Sequence, residues 1–364
     1  MAFTGEFSRD WAWLPEGLLH SILEKLVALP DYVRFSVVCK SWLSVAVLRR
    51  RLNTTIHNQI PLLILPPRNT GSSDQRNSLY SVTDKREYNF KIAISDKKRI
   101  AGSSHGWLFA VEEHKDLVLI NPFTRGTIRL PPIVPLPKIG FEKVDFRTLV
   151  EYKVVKASLT ADPILFPNDY AVVAIYGSSR KLAYIKSGDK SWRFLNIRHQ
   201  FFYDFLSYRG LIYVVDRSSM VVSIDISDSN LSSSSSVVKV VVPRKSDRPK
   251  ATYIVESSAG DLMLIHRYIV RSGYGEKRTS TFRIFKLQFS SSGEAERVEL
   301  ESLGGDTLFL SDNHSMAVFA SNFPGCRPNS IYFLDPSFMI GQYAAFMSND
   351  LWIFSFDDYS LKRL

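Results

Sequence analysis

The sequence predicts an α+β chain in two unequal parts: a small three-helix module, then an all-β propeller, kelch-like, of about six blades. Three observations predict it. Apolar residues recur at helical spacing only over the first ~55 residues. From about Pro61 onward, short apolar runs alternate with turn residues. Within that second part, a glycine turn followed by a strand recurs at an interval of about 50 residues.

The helices come first. Leu14, Leu18, Leu19, Ile22, Leu23 and Leu26 are three or four residues apart, or adjacent, and mark one helical stripe. Pro15 suits a first helical turn, where its missing N–H leaves no bond unmade. Pro30 is expected to end this helix and Asp31 to cap a second one carrying Tyr32, Phe35 and Val38. Ser41 is expected to cap a third, with Trp42, Val45 and Leu48 on its apolar side. A unit this small rarely buries enough surface to stand alone. Its apolar surplus, Trp11 and Trp13 included, must rest on the following domain or on another protein.

The strands follow. Expected runs are Leu62–Leu65, Trp107–Val111, Leu117–Ile120, Tyr170–Ile175, Leu182–Ile185, Leu211–Val215, Val221–Ile224, Leu262–Ile265, Phe282–Phe289, Met316–Phe319, Ile331–Leu334 and Leu351–Phe356. Gly106-Trp107-Leu108-Phe109, Gly210-Leu211-Ile212-Tyr213 and Gly260-Asp261-Leu262-Met263 share a turn-then-strand pattern. The first interval is 104 residues and the second is 50. An intermediate unit is placed at Tyr170–Phe194, turning at Gly188-Asp189-Lys190. Strands also end on Asn or Asp, at Asn121, Asp225 and Asp335. The serine-rich Asp228–Ser236 and the proline-rich Leu130–Pro137 read as loops.

Composition sets outer bounds. The 364 residues are 45% apolar and 13% aromatic, enough for a sizeable core rich in strand formers. Two cysteines, Cys39 and Cys326, cannot build a disulfide framework or a four-cysteine zinc site. The opening residues are too polar for a signal peptide, and no run is long enough to cross a membrane. An intracellular location, nucleus or cytoplasm, is expected. On that expectation the sequons at Asn53 and Asn313 are coincidental. The net charge of +10 comes in small basic groups, such as Arg49-Arg50-Arg51, Lys97-Lys98-Arg99 and Arg244-Lys245. A solvated basic surface accounts for them, and an acidic partner is compatible.

The N-terminal residues carry a resemblance. Asp10-Trp11, Leu14-Pro15-Glu16, Leu18-Leu19, Ile22-Leu23, Leu26, Asp31, Phe35 and Val38-Cys39-Lys40-Ser41-Trp42 resemble the F-box of plant F-box proteins. Trp13 and Leu43 depart from it, standing where the family often has a small polar and a basic residue. Ser104-His105-Gly106-Trp107, Leu119-Ile120-Asn121-Pro122-Phe123, Ile331-Tyr332-Phe333-Leu334-Asp335 and Leu351-Trp352-Ile353-Phe354 resemble the plant KIB-type β-propeller. The two resemblances divide the chain into an F-box at 8–52 and a propeller at 60–364. They imply the substrate-recognition subunit of an SCF-type ubiquitin ligase. Its F-box docks on a Skp1-type adaptor, which joins a cullin and a RING protein, and its propeller holds the protein to be ubiquitinated. Carried over by position, the adaptor contacts are Leu14, Pro15, Leu18, Leu19, Ile22, Leu26, Val38 and Trp42. Ile22, Leu23 and Trp42 could equally belong to the module's own core.

Signs of catalysis are lacking. Phosphate-loop, dinucleotide and His-Glu-x-x-His patterns do not occur. Gly102-Ser103-Ser104-His105-Gly106 fits the form of a nucleophile elbow, but a strand rather than a helix follows it, as in a blade turn. None of the seven histidines is spaced with other ligands for a metal. A non-catalytic adaptor without cofactors is expected, acting by holding a target lysine near a charged enzyme. A nucleic-acid-binding protein or other scaffold with a basic propeller surface is the alternative. It would need Lys and Arg on one face beside exposed aromatics. A propeller enzyme is a third reading, and it lacks an acid–base cluster. The target itself is not legible.

Overall fold

The structure, a computed structural model, describes residues 11–26, 29–52, 62–65, 78–83, 85–88, 99–112, 117–122, 126–133, 153–197, 201–227, 238–244, 249–271, 277–336 and 349–364. The serine-rich loop expected at 228–236 lies outside these residues, as do 134–137 of the proline-rich one.

Three helices open the chain: α1 (Glu16–Lys25), α2 (Leu29–Ser36) and α3 (Lys40–Leu52). Pro15 stands just before α1 in extended conformation, and its carbonyl accepts the N–H groups of Leu18 and Leu19. Glu16 in the first turn and Lys25 in the last suit the helix dipole. Pro30 does not stop α1. That helix ends earlier, where the Leu26 N–H bonds to Leu23 O, and Pro30 sits in the first turn of α2. Asp31 also lies inside that turn and accepts a bond from Arg34 at 2.8 Å. Ser41 is one residue into α3, while Cys39 O takes the first helical bond, from Leu43 N.

The strands form six sheets. The first holds β1 (Leu62–Leu65), β2 (Ser78–Ser81) and β3 (Arg86–Tyr88). The second holds β4 (Arg99–Ser104), β5 (Trp107–Val111), β6 (Leu117–Ile120) and β7 (Thr127–Arg129). The third holds β8 (Val154–Leu159), β9 (Ala171–Tyr176), β10 (Lys181–Lys186) and β11 (Arg193–Leu195). The fourth holds β12 (Phe202–Tyr208), β13 (Leu211–Asp216), β14 (Val221–Ile224) and β15 (Val238–Val242). The fifth holds β16 (Ala251–Glu256), β17 (Leu262–Arg271), β18 (Lys277–Phe289) and β19 (Ala295–Leu300). Each is an antiparallel meander. The sixth holds β20 (Asp306–Leu310), β21 (Met316–Phe319), β22 (Ser330–Pro336), β23 (Asn349–Ser355) and β24 (Leu361–Arg363), in the order β21-β20-β22-β23-β24, with β20 and β22 parallel.

Six apolar clusters lie between successive sheets and close a ring. Ile64 joins the first sheet to Leu108, Ala110 and Val118 of the second. Phe109 and Leu119 meet Val172 and Ala174 of the third. Ala171, Val173 and Ile175 turn the other way, toward Val214 and Val222 of the fourth. Tyr213 and Val215 meet Ile254 and Leu264. Ile265 and Phe282 meet Leu308 and Phe333. Phe309, Val318 and Tyr332 then pack on Leu63, Tyr80 and Val82 of the first sheet. Middle strands are therefore covered on both faces, and β9, Ala-Val-Val-Ala-Ile-Tyr, is apolar and buried throughout. This is the six-bladed propeller predicted.

Two of the recurrent glycines do what the repeat requires. His105-Gly106 and Arg209-Gly210 are two-residue hairpin loops with φ of 51° and 76°, and of 49° and 80°. Positive φ at both positions matches the twist of the flanking strands. Gly188 is not their equivalent, since it lies between β10 and β11. The corresponding β8–β9 connection instead uses Asp162, which accepts from Ile164 N (3.0 Å) and from the Trp107 indole of the neighbouring blade (3.0 Å).

The first strands of the second to fifth sheets neighbour one another and run in the same direction. Arg99 reaches the carbonyls of Val154 and Val155 at one end, and Ser104 Oγ lies 3.5 Å from Leu159 O at the other. Between them Gly102 is indispensable, because a Cβ there would meet Ala157 O at 2.0 Å. Further round, buried Lys156 pairs with buried Asp204, which also accepts the N–H groups of Phe205 and Ile254.

Candidate functional site

The helical module has a core of its own: Leu19, Leu23, Phe35, Trp42, Val45 and Ala46, with Leu14, Ile22, Leu26 and Cys39 packed at its edge. Phe35 and Trp42 meet with ring centroids 4.5 Å apart. The Trp42 indole N–H donates to Trp11 O at 3.0 Å and ties the N-terminal turn onto α3. Glu16 and His20, one turn apart on α1, lie 3.6 Å from each other.

This geometry sorts the eight candidate contact residues. Leu19 is fully buried and Trp42 is 9% exposed, so both hold the module together from within. Leu14, Ile22 and Leu26 are half-buried at the margin of the core. Pro15, Leu18 and Val38 face outward. Leu18 and Ile22, four residues apart, share one flank of α1 beside the buried Leu19–Leu23 line, and Leu14 precedes the helix. Sequence reasoning did not pick out Val37. Its signal was available: two adjacent valines at an interhelical turn, where polar residues are usual. Trp13, Leu18, Val37 and Val38 are 84%, 53%, 69% and 50% exposed, and Leu43 is exposed as well. A core of six buried side chains thus coexists with a comparable number of large apolar side chains in water.

Among the described residues, the Gly102–Gly106 segment does not form a nucleophile elbow. Ser104 ends β4 and runs through the His105-Gly106 hairpin into β5, without the strand–turn–helix that raises a nucleophile. Burial pushes the Cys326 thiol up to about 11, away from the reactive thiolate. Among the described residues no group of His, Cys, Asp and Glu is arranged to hold a metal ion, and no helix is long and apolar enough to cross a membrane.

Comparison with known proteins bears on both parts of the chain. Residues 11–53 match the F-box domain, and residues 79–355 match the KIB1-4 beta-propeller. The chain is 28% identical to Probable F-box protein At4g22165 of Arabidopsis thaliana, over 97% of this chain and 91% of that one. It is 24% identical to F-box protein SKIP23 of the same plant, over 95% and 89%. A third relative, Putative F-box protein At4g17565, is 27% identical over 89% and 83%. The F-box match falls on the helical module and the propeller match on the ring of sheets, and the chain belongs to the KIB1-4 β-propeller family of F-box proteins.

Proposed function

We propose that this protein is the substrate-recognition subunit of an SCF-type ubiquitin ligase, working inside the cell without catalytic residues of its own. The F-box, residues 8–52, docks on a Skp1-type adaptor, and through it on a cullin and a RING protein. The propeller, residues 60–364, holds the target. The observation that carries this reading is the apolar surplus of the helical module: Trp13, Leu18, Val37 and Val38 stand in water around a core of six residues. Burying such side chains yields about 1.5–3 kcal/mol each, so a partner that covers them gains affinity directly. Leu14, Pro15, Leu18, Ile22, Leu26 and Val38 form the contact surface, while Leu19 and Trp42 act by fixing the helices that present it. Tethering the target beside a charged conjugating enzyme raises the effective concentration of its lysines.

The test is co-expression with a Skp1-type adaptor and capture on the adaptor's tag. Leu18→Asp/Val38→Asp should lose capture while its thermal melt stays that of the native chain. Leu14→Ala/Pro15→Ala should weaken it. Equal recovery of the aspartate variant and the native chain would overturn the assignment.

A further inference from the structure

At the end of the propeller where the innermost strands begin, backbone bonds fix the turns of the third and fourth blades, and one of them crosses between the two. Gly177 N–H donates to Lys153 O (2.8 Å), Arg180 N–H to Gly177 O (3.1 Å), Phe202 N–H to Arg180 O (3.2 Å) and Arg217 N–H to Phe201 O (2.9 Å). These bonds set Lys153, Arg180 and Arg217 in a row across the third and fourth blades. Lys181 adjoins Arg180. Arg244, just past β15, extends to within 3.7 Å of Asp216, the neighbour of Arg217. Lys250, whose N–H bonds to Arg267 O at 2.9 Å, continues the row at the start of β16. Lys153, Lys181, Arg217, Arg244 and Lys250 are exposed and Arg180 half-buried.

This row is poorly compensated. Among the described residues, Lys153, Arg180, Lys181, Arg217 and Lys250 make no ion pair. Asp216 is buried and already accepts the N–H groups of Ser218 and Met220, so it offsets one charge at most. The opposite rim differs. There Arg193 pairs with Asp189 at 3.2 Å and Lys286 with Asp261 at 2.7 Å. Adjacent like charges repel, and an anion laid along them relieves that repulsion and is drawn in from a distance.

We infer that this basic rim is the docking surface for a short acidic peptide segment, which deepens the adaptor reading and rests on it for the claim that the segment belongs to the ubiquitination target. The aromatics decide against a nucleic acid. Phe201 and Tyr203 meet edge to face at 5.8 Å, and the Arg180 guanidinium sits over both rings, 5.5 and 5.7 Å from their centroids. The Arg180 guanidinium already covers one face of each ring, which leaves a base less stacking surface. The sixth blade limits the length of the segment. Its β20 runs from Asp306, bonded to Ser258 on the far rim, toward this one, and exposed Asp312 follows it. A long polyanion circling the ring would meet that carboxylate.

The test is fluorescence anisotropy of the full chain, purified by its own tag, against a labelled oligoglutamate peptide. An oligoglutamine peptide of equal length, an oligophosphoserine peptide and an oligothymidylate of equal charge are the comparisons. The native chain should bind the acidic peptides, and the affinity should fall with added salt. Arg180→Glu/Arg217→Glu should weaken binding about tenfold or more. Arg180→Gln/Arg217→Gln, which adds no repulsion, should weaken it less but measurably. Lys190→Glu/Arg209→Glu on the opposite rim should leave it unchanged. Retained affinity in both rim variants, equal loss in the opposite-rim variant, or tighter binding of oligothymidylate would overturn the inference. Adaptor capture of each variant is measured alongside. Loss of peptide binding with capture intact assigns the rim independently of the F-box, whereas absent capture with peptide binding intact would sink the adaptor reading alone.

Discussion

Replacing Lys156 by Met tests how the inner wall of the propeller is held. Lys156 and Asp204 are both buried and bonded to each other across the third and fourth blades. Removing the cation leaves a carboxylate in a low-dielectric wall with only the N–H groups of Phe205 and Ile254 for company. Breaking a buried pair in this one-sided way costs about 3–5 kcal/mol. Lys156→Met/Asp204→Asn should recover part of that, because the amide removes the buried charge, although its single oxygen can accept from only one of the two backbone donors, which bond to different carboxylate oxygens. Burial already holds the Asp204 pKa above the usual carboxylate value, against the pull of Lys156 and those donors. In Lys156→Met the carboxyl rises further. A carboxyl with a raised folded pKa favours folding most when protonated, and the advantage disappears as pH climbs through the folded value. The deficit of Lys156→Met should therefore be greatest near neutrality and shrink toward about pH 4. Urea unfolding, followed by the fluorescence of buried Trp107 and Trp192, measures both quantities. A Lys156→Met variant within about 1 kcal/mol of the native chain, or one whose deficit ignores pH, would refute the reasoning.

Leu23→Ala, which opens a cavity at a fully buried position of the helical module, should cost about 2–5 kcal/mol there and abolish adaptor capture, with the propeller's own melt unchanged. Gly210→Ala should destabilise by about 1–2 kcal/mol, since φ of 80° belongs to the left-handed region, and a thermal melt reads it directly. His314, with burial first and then Lys156 and His105 acting against its proton, has a pKa depressed to about 3. The unfolded chain therefore binds that proton more readily, and stability is lost as pH falls from about 6.5 toward 3. Stability measured across that window should fall less steeply in His314→Gln.

The sequence carried the two-part plan because each part has its own period. Within the stripe from Leu14 to Leu26, Glu16–Lys25 became α1, with both end leucines outside it, and most expected runs became strands of nearly the same extent. Within the stripe, spacing alone could not separate neighbours. Leu18 and Leu19 are the same residue type one position apart, yet one is half in water and the other fully buried. That distinction depends on where Phe35 and Trp42 pack. Glycine turns were readable where two residues must both take positive φ, at His105-Gly106 and Arg209-Gly210. They misled at Gly188, because the β8–β9 connection is fixed by the Asp162 carboxylate instead of by glycine. Met316–Phe319 was legible as a strand, but not its place inside β20, since pairing order is a tertiary matter. The basic rim was invisible because Lys153, Arg180, Arg217 and Arg244 lie far apart along the chain and meet only when the blades do.

Among the described strands, each sheet is built from one uninterrupted stretch of sequence, and none borrows a strand from the other end of the chain. Among the described residues the circle is closed by packing, where Phe309, Val318 and Tyr332 press on Leu63, Tyr80 and Val82, and where a Cβ at Gly325 would collide with Val82 O at 2.7 Å. Among the described residues, no ladder guides this seam. During synthesis the first sheet waits with a bare flank until the sixth emerges, which makes that flank the natural place for a chaperone to bind or for two unfinished chains to join.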